Sequence, residues 1–264
     1  MQYVVITGAY GGMGHKTAQA FAERGYTVFA LDKQVGEPEE NIIPVQTDVT
    51  DLQSVQSAFE RVQKETDELF AIVHFAGVYT LDSLIEIPER EFERVFQINV
   101  FGAFYVNKTF MPLLKEGSKI ILTTSELAPL DPLPFTGLYA VSKSALDKYA
   151  YSLKMELQLL GISVSVIRAG AVSTGMLGVS TTALDAFCEK TTHYSCNADR
   201  FRNIVNGVES KSVPPEKIAN VAVKIARKKN PKFAYKVNRN KLLLLLNAMP
   251  KRLQFFAIKK ILKK

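Results

Sequence analysis

Met1-Gln-Tyr-Val-Val-Ile-Thr-Gly8-Ala-Tyr-Gly-Gly-Met-Gly14 opens the chain, and its reading decides the fold. The apolar run before Gly8 has strand length and does not alternate, the pattern of a central parallel strand covered on both faces. A glycine turn follows, then a helical stretch over residues 15–24 closed by Gly25. Strand, glycine turn and helix in that order suit a bound dinucleotide. Glycines let backbone amides approach a pyrophosphate, and the helix N-terminus offers unpaired N–H groups and a positive dipole end.

The next element strengthens this reading. Thr27-Val-Phe-Ala-Leu-Asp32 is a second strand ending in a carboxylate 18 residues beyond Gly14. An acid there accepts hydrogen bonds from the adenosine ribose and repels a 2′-phosphate, which favours NAD. Lys33, immediately after it, opens the alternative of NADP by neutralising that repulsion.

Further strands are predicted over residues 41–46, 69–74, 118–124 and 161–168, with an edge strand over 233–237. Asp48 reads two ways, as an acceptor for the adenine amino group or, with Thr50 and Asp51, as a cap for the helix that follows to about Lys64. His74 ends the fourth strand; with no partner at ligand spacing it reads as structural, and no metal site is expected. A long helical region spans about 90–114. Within it Gly102 and β-branched residues predict a local distortion, and Asn99 is either a satisfied core amide or a holder of water. The fifth strand delivers Ser125 to its carboxyl end, the edge at which open α/β sheets bind ligands. Pro129, Pro132 and Pro134 stiffen the loop beyond it.

A helix is predicted over residues 138–154. It carries Tyr139 and Lys143 one turn apart on one face. A free phenol titrates near pH 10. A cation about 4 Å away in a partly buried site favours the phenolate by about 4 kcal/mol, which would bring Tyr139 to about 7, where general acid/base chemistry works best. Residues 175–212 follow an irregular pattern containing Met176, Leu177, Val179, Leu184, Phe187, Tyr194 and Phe201. They read as a substrate lid or a covering helix pair. Another helix runs from Pro214 to about Lys229.

Together these residues resemble the short-chain dehydrogenase/reductase family, over roughly residues 1–237. Thr7-Gly8-x-x-x-Gly12-x-Gly14 matches its cofactor motif, and Asn99, Ser125, Tyr139 and Lys143 match its catalytic tetrad. The chain departs from the family at three points. His74-Phe75 stands for Asn-Asn before Ala76-Gly77. Ser125 and Tyr139 are fourteen positions apart rather than thirteen. Ala169-Gly170 replaces Pro-Gly, which implies a less rigid turn. The resemblance implies a Rossmann-type doubly wound parallel α/β sheet. It also implies a cofactor held by Thr7, Gly8, Gly12, Met13, Gly14, Asp32, Lys33, Asp48, Val49, Ala76, Gly77, Tyr139, Lys143, Gly170, Val172 and Thr174. The implied reaction is hydride transfer between a nicotinamide cofactor and a secondary alcohol or ketone. In it Tyr139 is the general acid/base, Lys143 lowers its pKa, Ser125 orients the substrate and Asn99 holds a relay water. The aromatic lid suggests an apolar, hydroxysteroid-like substrate, and family likeness suggests a homodimer or homotetramer. Two other functional readings stand beside this one, an NADPH-dependent ketoreductase on acyl or other carbonyl substrates and a non-catalytic NAD(P)-binding regulator.

Composition fits a single globular domain with an appendage. The chain has 264 residues, 47% of them hydrophobic, with no repeat and no Pro/Gly/Ser-rich linker. Charge is uneven. From Lys217 to the end there are 15 Lys/Arg and no Asp/Glu, so the preceding residues carry a net −8. That acidic body and the lack of a recognition motif argue against nucleic acid. No signal peptide is read at the start, and two cysteines without a CxxC fit a reducing cytoplasm. Residues 238–264 form a basic, apolar tail too interrupted to span a bilayer. Two readings stand for it. It lies on an anionic membrane surface, which would make the protein peripheral, or its leucines pack on the lid or a second subunit.

Overall fold

The computed structural model describes residues 2–209 and 211–263, and within them the side chains of residues 176–181, 199, 208 and 209 lie outside what is described. The predicted lid residues Met176, Leu177 and Val179 fall in that group; Met1, which begins the predicted first strand, and Lys264 of the tail lie outside the described residues.

The seven strands are β1 (Gln2–Thr7), β2 (Tyr26–Asp32), β3 (Ile42–Gln46), β4 (Leu69–His74), β5 (Leu114–Ser125), β6 (Ser163–Ala169) and β7 (Ala234–Val237). They form one parallel sheet in the order β3-β2-β1-β4-β5-β6-β7. The chain reverses direction across the sheet between β1 and β4, so a crevice opens there at the strands' carboxyl ends. The continuous apolar run of β1 is used as its composition demands. Val4, Val5 and Ile6 are all fully buried, Val4 and Ile6 in one core layer and Val5 in the other. One layer packs beneath α1 (Gly12–Ala22) and α8 (Pro215–Ala226). The other packs beneath α2 (Leu52–Gln63), α4 (Gly102–Phe110) and α5 (Gly137–Leu157).

Several expectations resolve here. Asp51, not Asp48 or Thr50, caps α2, its Oδ1 accepting the Gln53 N–H. The predicted distortion is a π-helical turn, Gln97–Phe101, between α3 (Glu89–Phe96) and α4. It carries Asn99 at its centre, the kind of wide turn that recurs at functional sites. The segment read as irregular is a pair of helices, α6 (Gly175–Lys190) and α7 (Ser195–Glu209). Its apolar spacing is weak because one small cluster anchors it rather than a long stripe. Leu184, Phe187 and Phe201 are buried with Leu81, and Phe135 meets three rings of this segment, Phe187, Tyr194 and Phe201. Phe135 holds a φ of 64° to do so, a strained conformation for a bulky residue that those ring contacts offset.

The tail folds into α9 (Lys241–Ala248) and α10 (Lys251–Leu262), both docked on the body. Asn240 donates its N–H to Glu126 at 2.6 Å, and Asn247 accepts the Asp131 N–H at 2.7 Å. Lys251 and Gln254 reach the Asp131 carboxylate. Asn197 and Arg200 of α7 donate to the carbonyls of Leu262 and Lys263. The tail thus contacts the segment after β5 and, at its end, α7. No helix among the described residues is long and apolar enough to cross a membrane.

Candidate active site

The glycine turn folds tightly on itself, with the Gly11 N–H bonded to the Gly8 carbonyl at 3.1 Å. Gly8 has φ +64°, and a Cβ there would stand 2.5 Å from the Ala76 nitrogen. A Cβ on Gly14 would be 2.0 Å from the Gly8 carbonyl oxygen, so the turn closes only around glycine. No side chain caps α1 and its first turn carries no acid, leaving the helix N-terminus for an anion. These features open on a cleft of about 1220 Å³ bordered by Gly8, Gly12, Met13, Gly14, Asp32, Lys33, Asp48, Val49, Ala76, Gly77 and Thr174. The residues thus fit a dinucleotide in shape and donor chemistry. Thr7, expected with them, lies just beneath, its hydroxyl accepting the Ala76 N–H at 3.4 Å.

Asp32 accepts the Tyr10 N–H at 2.9 Å and the Gln34 N–H at 3.4 Å, which orients the carboxylate and leaves lone pairs over. Lys33 and Asp48, the candidate phosphate and adenine contacts, pair with each other at 2.8 Å. The other Asp48 oxygen takes the N–H and hydroxyl of Thr50. The Lys33 contact, aided by Thr50, holds the Asp48 carboxyl down at about 2. The two residues spend their charge on one another because they close adjacent strand ends.

A second cavity of about 220 Å³ joins the first through Met13, Gly77, Val78, Tyr79 and Thr174, which border both. Ser125, Tyr139, Lys143, Gly170 and Val172 line it, with Leu127, Leu133, Phe201, Ile204, Val205 and Leu243 as its apolar walls. The fourteen-position spacing therefore still brings serine and tyrosine together. The Ser125 side chain hydrogen-bonds the Tyr139 phenol and also accepts the Leu127 N–H at 3.1 Å. Gly170 and Val172 approach from the end of β6. The turn there is fixed without proline, because the Gly170 N–H bonds the Val237 carbonyl at 2.9 Å and a Cβ at Gly170 would meet the Asn238 carbonyl at 2.0 Å.

The electrostatics run opposite to the expected direction. Burial pushes the Tyr139 phenol up to about 12, with the Ser125 hydrogen bond opposing it, and burial brings the Lys143 ammonium down to about 8. The reason is geometric. Lys143 Nζ donates to the Thr123 carbonyl at 3.0 Å and lies 5.9 Å from the centre of the Tyr139 ring. Desolvation of each charged form then outweighs their attraction.

Asn99 is a satisfied core amide. It accepts the Val78 N–H at 2.7 Å and donates to the Val78 carbonyl and the Ser142 hydroxyl, both at 3.0 Å. It thereby fixes the chain leaving β4. Asn99 Oδ1 and Lys143 Nζ flank the spot where a Gly77 Cβ would sit, at 3.2 and 3.3 Å. His74 is structural. It pairs with Asn107 at 2.8 Å, and full burial holds it down at about 4, hence neutral.

Three features of the site have no simple signal in sequence. Tyr79 sets its ring edge-on to Tyr139, with centres 4.6 Å apart. Glu126, directly after Ser125, has its carboxyl raised by burial and ties the site to the tail. Asp147 grips Arg168 with two bonds of 2.9 and 2.7 Å, locking α5 to β6. Only the Tyr139–Lys143 helix spacing, which puts Asp147 one turn further on, hinted at any of them.

A family model described as short chain dehydrogenase matches residues 2–185. The chain is 28% identical over 240 residues to 3-ketodihydrosphingosine reductase of Bacteroides thetaiotaomicron, covering 89% of this chain and 87% of that protein. It is 30% identical to NADPH-dependent 1-acyldihydroxyacetone phosphate reductase of Schizosaccharomyces pombe, covering 73% and 68%. To estradiol 17-beta-dehydrogenase 2 of Mus musculus it is 32% identical, covering 66% of this chain but only 49% of that protein. Among solved structures, 3-ketoacyl-(acyl-carrier-protein) reductase from Brucella melitensis complexed with NADH superposes with a TM-score of 0.73, at 20% identity, covering 89% of this chain and 96% of that one. A short-chain dehydrogenase from Streptomyces avermitilis gives 0.77 at 18% identity, covering 98% and 96%.

Proposed function

The chain belongs to the short-chain dehydrogenase/reductase family, and on that premise we propose that it reduces an apolar, chain-like ketone or oxidises the matching secondary alcohol, with Tyr139 as general acid/base. The observation that carries this reading is the convergence of Ser125, Tyr139 and Lys143 in an apolar cavity that opens into the glycine-lined cleft. The protein is an NAD(P)-dependent oxidoreductase; when bound, the nicotinamide supplies or accepts the hydride. Every proton-handling task falls to the chain itself. A phenol held up at about 12 is protonated at neutral pH, so Tyr139 stands ready to donate to a carbonyl oxygen. The Ser125 hydroxyl, aimed by the Leu127 amide, donates a second hydrogen bond to that oxygen as charge develops. The Lys143 ammonium supports the phenolate that forms and borders, with Asn99, the space through which a water would return protons to Tyr139.

The cavity supports a slim substrate. At about 220 Å³ it is below the roughly 300 Å³ floor of pockets that enclose drug-sized ligands. An acyl or alkyl chain fits between Leu133, Phe201, Val205 and Leu243 more readily than a rigid polycycle. Two relatives whose names carry a lipid ketone, the bacterial 3-ketodihydrosphingosine and the yeast acyldihydroxyacetone phosphate reductases, fit the same class.

Asp32 supports NAD over NADP, since its oriented carboxylate would bond ribose hydroxyls and repel a 2′-phosphate, while Lys33 is engaged by Asp48. Titration of NADH and NADPH into wild type and Asp32→Ala tests this. NADH binds wild type at least about tenfold more tightly than NADPH, and Asp32→Ala erases that preference, as expected for loss of one charge-assisted hydrogen bond. A wild-type preference for NADPH that survives the substitution would move the choice to Lys33.

A further inference from the structure

The tail has an outer face that its docking leaves uncovered. At 100° per residue, Phe255, Lys259, Arg252, Phe256, Lys260 and Leu253 fall on one side of α10. Phe255 and Phe256 are 67% and 65% exposed. The opposite side carries Gln254, which is buried, while Leu262, next to Phe255 round the helix, packs on the cluster formed by Leu81, Leu184, Phe187 and Phe201. Phe255 is thus exposed beside the cations. α9 likewise exposes Leu242 and Leu245, at 70% and 65%. The segment from Lys241 onward holds seven Lys/Arg and no Asp/Glu.

Those features select one kind of partner. A protein surface that buried the rings would also bury Arg252, Lys259 and Lys260, at high cost unless each met an acid. A second copy of this face brings only like charge. An anionic bilayer accepts both groups, since rings sink to the acyl boundary while long cationic side chains reach back to the phosphates. The acidic body, net −8 before Lys217, is repelled by the same surface and so orients the tail toward it. On its inner side α9 presents Leu243 to the catalytic cavity, so a single helix separates that cavity from the outer face.

We propose that the outer face of α9 and α10 docks on an anionic lipid bilayer, and that the carbonyl substrate is a long-chain lipid drawn from that bilayer past α9. The choice of substrate rests on the reading of the cavity given above; the docking surface does not.

The test is flotation of the full-length protein with phosphatidylglycerol/phosphatidylcholine vesicles and with phosphatidylcholine vesicles alone. It uses wild type, Phe255→Ser/Phe256→Ser and Lys259→Glu/Lys260→Glu, with melting curves to show that each is folded. Wild type should float with the anionic vesicles and lose that binding in high salt, and each double variant should bind at least about tenfold more weakly. Turnover of a short, water-soluble ketone should be the same in all three. Equal binding by all three proteins, or none by wild type at low salt, overturns the proposal. So does a wild-type dimer that Phe255→Ser/Phe256→Ser makes monomeric, since a second copy would then own the face. Vesicle binding without turnover of any ketone would sink the catalytic reading and leave the docking surface standing; the reverse result would do the opposite.

Discussion

Tyr139→Phe lowers kcat by about three to four orders of magnitude while dinucleotide affinity stays within about twofold of wild type. The substitution removes one oxygen and keeps the ring. The edge-on contact with Tyr79 and the packing beside Lys143 therefore survive, and only the proton donor is lost. Stopped-flow turnover beside equilibrium titration separates the two quantities. The pH profile carries a second signature. Because Tyr139 is held up at about 12 and Lys143 down at about 8, kcat/KM for reduction is level to about pH 8. Above that it falls as Lys143 loses the charge that supports the nascent phenolate. A Tyr139→Phe enzyme with a wild-type rate would remove Tyr139 from the chemistry.

Asp147→Ala has the largest expected effect on stability, about 3–5 kcal/mol, or roughly 10 °C in Tm. Asp147 accepts two bonds from the Arg168 guanidinium and one, at 3.1 Å, from the Thr124 hydroxyl, all in a nearly dry layer between α5, β5 and β6. Truncation strands a largely buried cation beside Phe233, 6.0 Å from its ring centre. Most of that loss is the cost of the orphaned charge rather than the worth of the pair. Asp147→Leu combined with Arg168→Met should therefore recover much of it. Denaturant unfolding of the single and double variants measures this, and additive losses in the double variant would contradict it.

The parallel sheet was legible because β1, β2 and β4 are unbroken apolar runs and a parallel sheet buries both faces. The glycine turn was legible because Gly8 and Gly14 have spacing that only close backbone approach explains. Even the π-turn at Asn99 showed through Gly102 and its β-branched neighbours. What the sequence did not show has mostly one cause, which is that charge pairing is settled by folding. Lys33 and Asp48 lie fifteen positions apart, and nothing in the sequence says that their strand ends bring them together. The expected effect of Lys143 on Tyr139 rested on helix spacing, whereas the backbone carbonyl of Thr123, on a different element, claims the ammonium. The helix pair over 175–209 was one of two readings of that stretch; what the sequence did not show is its anchor, Phe135, a loop residue in a strained conformation. The burial of Gln254 in the tail depended on its finding Asp131, more than a hundred positions away.

The most direct test of the central claim follows the hydride itself. The protein would be mixed with reduced dinucleotide carrying deuterium at C4 of the nicotinamide and with a series of long-chain aliphatic ketones, and the alcohols examined by mass spectrometry. Deuterium on the carbinol carbon, formed by wild type and lost with Tyr139→Phe, is the predicted result. Tight dinucleotide binding with no label in any alcohol, or label arriving from deuterated solvent instead, would contradict it.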